Sequence, residues 1–344
     1  TTLLIGIATS LFTAIFVTRL FIENRISKKK PIDVSTKLTK NLLTNLSFQF
    51  LKGRKIAYLI SGILIFTSLL SLSINGLNQG VDFVGGRSYI VRFDKIVNPS
   101  EIEKSISNIL GSAEVKTFGE SNQLKITTKY KIDEEGNQID NEIYQKLFSS
   151  LSNFLPENFT IDEFINGSEI KKVGIMSSIK VGPTIADDIK KNSYLAVIGS
   201  LIIVFIYILL RFRKWQFSAG AVVAVFHDVL IVLGIFSLSY NIMPFNMEIN
   251  QAFIAAILTV IGYSLNDTVV VFDRIREYIR NNQNEKLFQT VNLALNSTLS
   301  RTLNTSLTTL LVLLAIFLFG GESIRGFMFA LIVGKNCGLS CFKI

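Results

Sequence analysis

Three groups of residues in this chain carry ionisable chemistry inside apolar surroundings. Asn266-Asp267 falls late in a long apolar run, in Gly262-Tyr-Ser-Leu-Asn-Asp-Thr268; His227-Asp228 falls near the middle of another, and Arg301 opens a third. A carboxylate at membrane depth is costly and usually faces a bundle interior or a water path. One that takes up and releases a proton can couple a proton gradient to movement. Asp267 and Arg301 are expected to lie at comparable depth and to pair. Burial disfavours the charged carboxylate and a nearby Arg favours it, so small movements would switch its protonation. His227 is either a proton relay or a structural histidine bonded to a neighbouring helix. Adjacent residues point about 100° apart on a helix, so His227 and Asp228 are expected to address different partners. Asp228 is expected to be a second site residue that shares the network with Arg301.

Apolar spans must position these groups. Hydrophobic residues make up 49% of the chain, 27 residues are Phe, and charged residues are 18%. A membrane helix needs about 20 apolar residues. Spans are expected at about Leu3–Ile22, Lys55–Ile74, Tyr194–Leu210, Phe217–Tyr240, Ile249–Phe272 and Thr302–Phe319, with a truncated one starting near Ile324. Beside Asp267, the stripe Ala255, Thr259, Gly262, Asn266 is small and polar, as in a helix packed inside a bundle. Arg301, Asn304, Thr305 and Thr308 form a second polar stripe at helical spacing.

The net charge of +9 resembles a nucleic-acid signature, but its distribution is topological. Basic residues concentrate in segment 23–54, in Arg211-Phe-Arg-Lys214 and around Arg274, Arg276 and Arg280. The connections at 241–248 and 320–322 have none. By the positive-inside rule the basic loops are cytoplasmic, and nucleic-acid binding is not expected. The run Asp273-Arg274-Ile-Arg276-Glu277 reads as a solvated helix with local ion pairs. Zinc motifs, nucleotide loops and triads do not occur, so neither an enzyme nor a metal site is expected. Cys337 and Cys341 read as incidental tail cysteines. The chain starts inside an apolar helix, as a fragment of a longer protein would.

Segment 75–192 falls outside the membrane and reads as a compact α+β domain. Strands are expected at Ser88–Phe93, Glu114–Phe118, Gln123–Lys129 and Phe159–Ile165, with helices over 98–110 and 140–154. That βαββαβ order is the ferredoxin-like split pattern. The glycine-rich joints Gly80-Val-Asp-Phe-Val-Gly85-Gly86 and Val181-Gly182-Pro183 flank it; they are hinges that let the domain swing, or ordinary tight turns.

These joints occur together with Phe226-His-Asp-Val-Leu230, Gly262-Tyr-Ser-Leu-Asn-Asp-Thr268, Phe272-Asp-Arg-Ile-Arg-Glu277 and Leu299-Ser-Arg-Thr302. In that order, over about residues 50–333, they closely resemble the SecF family. Leu4-Ile-Gly-Ile-Ala-Thr-Ser-Leu-Phe-Thr-Ala-Ile-Phe-Val-Thr-Arg19 resembles the last membrane helix of SecD. The resemblance implies part of a fused SecDF polypeptide of the resistance-nodulation-division superfamily. Its fold would be polytopic and α-helical: one SecD-derived helix (1–22), a basic cytoplasmic linker (23–54), a first SecF-type helix (55–74), a periplasmic ferredoxin-like domain (75–192) and the remaining bundle (193–344). It implies a place in the bacterial inner (cytoplasmic) membrane and use of the proton-motive force to draw secreted polypeptides across it. Asp267 would carry protons with Arg301 as partner, and protons would be the coupling ion without a further cofactor. Implied partners are the SecD portion, the SecYEG translocon, YidC, unfolded secretory preproteins and the lipid bilayer. Alternatives are a small-molecule exporter of the same superfamily, which predicts a larger aromatic cavity, and a passive translocon scaffold, which needs no titrating carboxylate. The chain departs from the family at its end, where Lys335-Asn-Cys-Gly-Leu-Ser-Cys-Phe-Lys-Ile344 replaces apolar sequence; this puts the last helix and its activity in question.

Overall fold

The computed structural model describes residues 2–29, 48–111, 113–134, 136–166, 173–243, 245, 247–282 and 284–341. The chain divides into two compact units, 1–47 and 48–344. In the first, α1 (Thr2–Leu11), a π-helical stretch (Phe12–Val17) and α2 (Thr18–Ser27) follow one another without a break. Thr9 Oγ1 donates to Ile5 O at 2.8 Å, so this hydroxyl is satisfied within its own helix, as an apolar medium requires. Most of the segment expected as a basic linker, 30–47, lies outside the described residues.

The second unit opens with α3 (Phe50–Ile74) and closes with α8 (Pro183–Phe212), α9 (Trp215–Ser239), α10 (Gln251–Asn281), α11 (Leu287–Phe319) and α12 (Glu322–Cys341). The first-unit helix, α3 and α8 through α11 are each long and apolar enough to cross a membrane. The helices outrun the expected spans. The 30 residues of α8 reach about 45 Å at 1.5 Å each, more than the roughly 30 Å hydrocarbon core. Its first turns therefore occupy 183–192, inside the segment expected as domain. The last helix also differs from expectation: the apolar run stops at Gly334, but α12 continues to Cys341. It packs against α9, α10 and α11, and Lys335 finds an acidic partner within the bundle.

Between α3 and α8 lie a short helix α4 (Val81–Val84), β1 (Gly86–Arg92), α5 (Pro99–Leu110), β2 (Ala113–Thr117), β3 (Gln123–Thr128), α6 (Asn137–Leu151), α7 (Ile161–Asn166) and β4 (Gly174–Val181). The antiparallel sheet has the order β2-β3-β1-β4, the ferredoxin-like arrangement. Asn98 caps α5, its Oδ1 accepting from Ser100 N at 3.0 Å. Ile102 and Ile106 of α5, Ile143, Leu147 and Leu151 of α6, and Tyr89, Val91, Leu124 and Ile126 of the sheet are buried in one core. Arg87 on β1 reaches Asp140 in the first turn of α6, where a carboxylate also meets the positive end of the helix dipole.

The fourth strand is not where the sequence pattern placed it. Residues within Phe159–Ile165 enter α7 instead, because Thr160 and Glu163 form a reciprocal capping box. Glu163 Oε2 accepts from Thr160 N at 2.9 Å, and Thr160 Oγ1 accepts from Glu163 N at 3.3 Å. The closing strand is Gly174–Val181, a stretch to which the sequence reading assigned no element. The βαββαβ order survives with α7 inserted.

The two joints meet each other. Gly86 pairs with Val181 on the last rung of β1–β4, and a Cβ on Gly85 would lie 3.3 Å from Val181 O and 3.4 Å from Pro183 Cα. Gly85 and Gly86 have φ of +70° and +151°, a region that side-chain-bearing residues rarely enter. Gly182 has ordinary extended angles, φ −67° and ψ 156°, and Pro183 starts α8 where a missing N–H costs nothing.

Candidate functional site: a polar seam through the bundle

The α3–α9 contact is built from small residues. Ser61 meets His227, Ser68 meets Gly234 and Ser71 meets Ser237, always at the same offset of 166 positions in the numbering. A constant offset of this sign means that the two helices run parallel. A Cβ on Gly234 would fall 2.6 Å from Ser68 Cα, so the backbones touch there as they do at small-residue membrane interfaces. Ser71 Oγ donates to Ser237 Oγ at 2.8 Å.

His227 and Asp228 extend this seam to α10. His227 Nε2 lies 2.6 Å from Ser61 Oγ, and Nδ1 lies 3.2 Å from Asp228 Oδ1. When Asp228 is ionised and the ring neutral, Nδ1 donates to the carboxylate and Nε2 accepts from Ser61 Oγ. Asp228 is fully buried, and its Oδ2 accepts from Ser264 Oγ at 2.8 Å. The result is an unbroken hydrogen-bonded chain Ser61–His227–Asp228–Ser264 across three helices. His227 and Asp228 do face different helices, yet they also bond to each other.

Asp267 lies three residues beyond Ser264, on the adjoining turn of α10. Its ion partner is Lys335 of α12: Nζ to Oδ2 is 2.7 Å, with the two side chains 4% and 13% exposed respectively. The ammonium also sits 5.4 Å from the centroid of the Tyr263 ring. A Cβ on Gly334 would overlap Val260 Cγ2 at 2.3 Å, so α12 and α10 run close enough for Lys335 to reach the carboxylate.

The expected Asp267–Arg301 pair is therefore absent, and Asp228, bonded to His227 and Ser264, does not share a network with Arg301 either, both for a geometric reason. Arg301 lies on an outward face of α11, exposed along with Asn304, Thr305 and Thr308, and lines a cavity of about 840 Å³ with Asp273, Arg274 and Glu277. Asn266 is exposed as well. Asp273–Arg276 and Arg274–Glu277 pair at 2.8 Å each within the exposed run. The sequence reading did not single out Ser61 or Ser264, whose roles depend on the rotation of whole helices. It treated Lys335 as a departure from pattern, although a cation that follows the apolar run Phe327–Val333 inside the same helix is itself a signal that an acid lies opposite.

Buried ionisable groups inside a bundle of membrane-length helices, with a small α+β domain inserted after α3, define a multi-pass membrane protein with an intramembrane polar site. Comparison with known proteins narrows the class. The model of the family "Protein export membrane protein SecD/SecF, C-terminal" matches residues 164–341, and that of the "SecD/SecF GG Motif" matches residues 70–95. A protein translocase subunit SecF of Rhodothermus marinus is 44% identical, covering 86% of this chain and 90% of the relative. One from Vibrio alginolyticus is 34% identical, covering 84% of each. The crystal structure of SecDF from Thermus thermophilus, described there as translocon-associated, superposes with a TM-score of 0.79 at 28% identity over 99% of this chain. A SecDF structure in a super-membrane-facing form gives a TM-score of 0.65 at 28% identity over 99% of this chain. The chain spans 43% of the length of each of these SecDF proteins. The chain belongs to the SecF family.

Proposed function

We propose that this chain is the SecF part of an accessory to Sec-dependent protein export, driven by the proton-motive force. The observation that carries the reading is the chain Ser61–His227–Asp228–Ser264, ending one turn from Asp267, with Asp228 fully buried. Ionisable groups within membrane helices are rare, face the bundle interior or a water-filled cavity, and mark ion pathways and proton relays. One charge crossing 100 mV releases about 2.3 kcal/mol, so a few protons per cycle supply enough work to move a domain or bias a sliding polypeptide.

The chain lies in the bacterial inner membrane with its basic loops cytoplasmic and its α+β domain periplasmic, following the charge distribution. Asn266, Arg301, Asn304, Thr305 and Thr308 are exposed on helices that cross hydrocarbon, and the SecD portion covers them. There Arg301 serves a carboxylate of that portion, while Asp228 and Asp267 carry protons within this one. SecYEG, YidC and unfolded preproteins are the neighbours of the assembled protein.

The test is gradient-dependent completion of secretion in membrane vesicles, using the chain joined to its SecD portion. Asp267→Asn alone leaves Lys335 buried without a counter-ion, a change that costs roughly 3–5 kcal/mol in folding. It is therefore compared with Asp267→Asn/Lys335→Gln and with Asp228→Asn. Loss of the gradient response in variants that assemble normally supports the proton path. An unchanged response in all three moves the passive scaffold ahead.

A further inference from the structure

Among the described residues, two contacts of different character join the α+β domain to the bundle. One is the joint, where β1 and β4 leave the sheet on the same rung and Val81, Val181 and Ala186 form a small apolar cluster. The other is polar. Lys125, in the middle of β3, reaches Glu248 in the connection before α10, with Nζ to Oε2 at 2.5 Å and side-chain exposures of 13% and 5%. Lys125 pairs with Ile90 on β1, four residues from Gly86, or about 13 Å along the strand. This second contact therefore has a lever arm about the joint.

The ground under Glu248 is fixed. Ile249 N donates to Asn78 O at 2.7 Å, and Gly80 N donates to Ile249 O at 3.0 Å. A Cβ on Gly80 would lie 3.0 Å from Glu248 Oε2, so glycine there leaves the carboxylate its place. Asp82 Oδ2 accepts from Gln251 N at 3.1 Å, and Asn250 Oδ1 accepts from Phe253 N at 2.9 Å. Both groups satisfy N–H donors at the start of α10. Glu248 is thereby tied to the helix that bears Ser264 and Asp267, and Gln251 to Asp267 is about 24 Å along that helix.

The rest of this contact is loosely filled. A cavity of about 160 Å³ lies between the sheet and the bundle, lined by Ser88, Ile90, Ser177 and Ile179 on one side and Phe253 and Phe327 on the other. Separating an interlocked apolar interface exposes its whole area to water. Two separated ions regain hydration instead, so a shielded ion pair has small net strength but defined geometry.

We propose that Lys125–Glu248 is a releasable latch between the α+β domain and the start of α10, and that opening it lets the domain turn about the Gly86–Val181 rung. As a coupling element the latch rests on the proton-driven reading above; as a structural device it does not. Closed, it holds the sheet over the N-terminal end of the Asp267 helix. Open, it disconnects the two.

Two measurements on the chain joined to its SecD portion test this, in a Cys337→Ser/Cys341→Ser background. The first follows labelling of Ser177→Cys by a membrane-impermeant maleimide from the domain side. Lys125→Glu and Glu248→Lys should each speed labelling severalfold, and the double reversal should return the parent rate. Unchanged rates in both single variants, or a double reversal as fast as either, overturns the latch. The second joins Lys125→Cys to Glu248→Cys with a short, reducible bis-thiosulfonate linker. The gradient-dependent increment in secretion should vanish when linked and return on reduction; a full increment while linked overturns the coupling role. If the unlinked parent has no such increment, the proton-driven reading has failed, and the labelling result alone decides the latch.

Discussion

In the α+β domain the fully buried positions are large and apolar, Ile102, Leu124, Ile126 and Leu147 among them; in the bundle Ser68, Asp228, Ser237 and Ser264 are buried while Ile203, Leu311 and Phe319 face outward. Water drives the first arrangement, because removing apolar area from it is the dominant favourable term. Lipid supplies no such force between helices, so close backbone approach and interhelical hydrogen bonds hold the second. The same chain thus follows two solvents, and the joint at Gly85–Gly86 and Val181–Pro183 is where it changes from one to the other.

The largest effect that sharpens this contrast is expected in the domain core. Leu147→Ala should cost about 2–5 kcal/mol, read as lost amide-exchange protection in α6 and the sheet. Leu311→Ala, at a position 59% exposed, should stay within about 0.5 kcal/mol. Equal costs would break the comparison.

Next comes the closest backbone approach in the bundle. Gly234→Ala places a methyl group on Ser68 and should cost about 1–3 kcal/mol through overpacking. The measurement is cross-linking of Ser71→Cys to Ser237→Cys. The yield should be high in the parent and fall with Gly234→Ala; an unchanged yield would mean that hydroxyl contacts, not close approach, hold the seam.

The smallest effect lies at the domain rim. Hydrogen bonds from Lys131, then Lys146 and Tyr130, lower the Glu142 carboxyl to about 2. A depressed carboxylate contributes stability that is present above its unfolded value, about 4.3, and is lost as pH falls through about 2. Exchange protection of α6 should therefore decline over that window in the parent, and less in Glu142→Gln. Identical profiles would remove Glu142 from the domain's acid response.

The spans and the ferredoxin-like order were legible because apolar length and short-range periodicity are local properties. The fourth strand was misplaced because Phe159–Ile165 was weighed by hydrophobic pattern, while Thr160 and Glu163 carried helix-start chemistry that was overlooked. The carboxylates were legible as costly groups in apolar runs, but not their partners. Whether Asp267 meets Arg301 or Lys335 depends on which face of α11 turns inward and how closely Gly334 lets α12 approach. The partners of Ser61 and Ser264 could not be read from the sequence, although Ser264 falls inside the Gly262–Thr268 motif, since serine is common in membrane helices and only helix rotation puts these two beside His227 and Asp228.

The shared rung Gly86–Val181 has a consequence for engineering. Strand partners lie about 5 Å apart, so the polypeptide departs from the helical scaffold and returns to it at nearly one point. That is the geometry of a cassette: residues between the two ends can be exchanged for another folded module, or for a tight turn, without moving α4 or α8. A module of different size or recognition surface would graft onto the same stub.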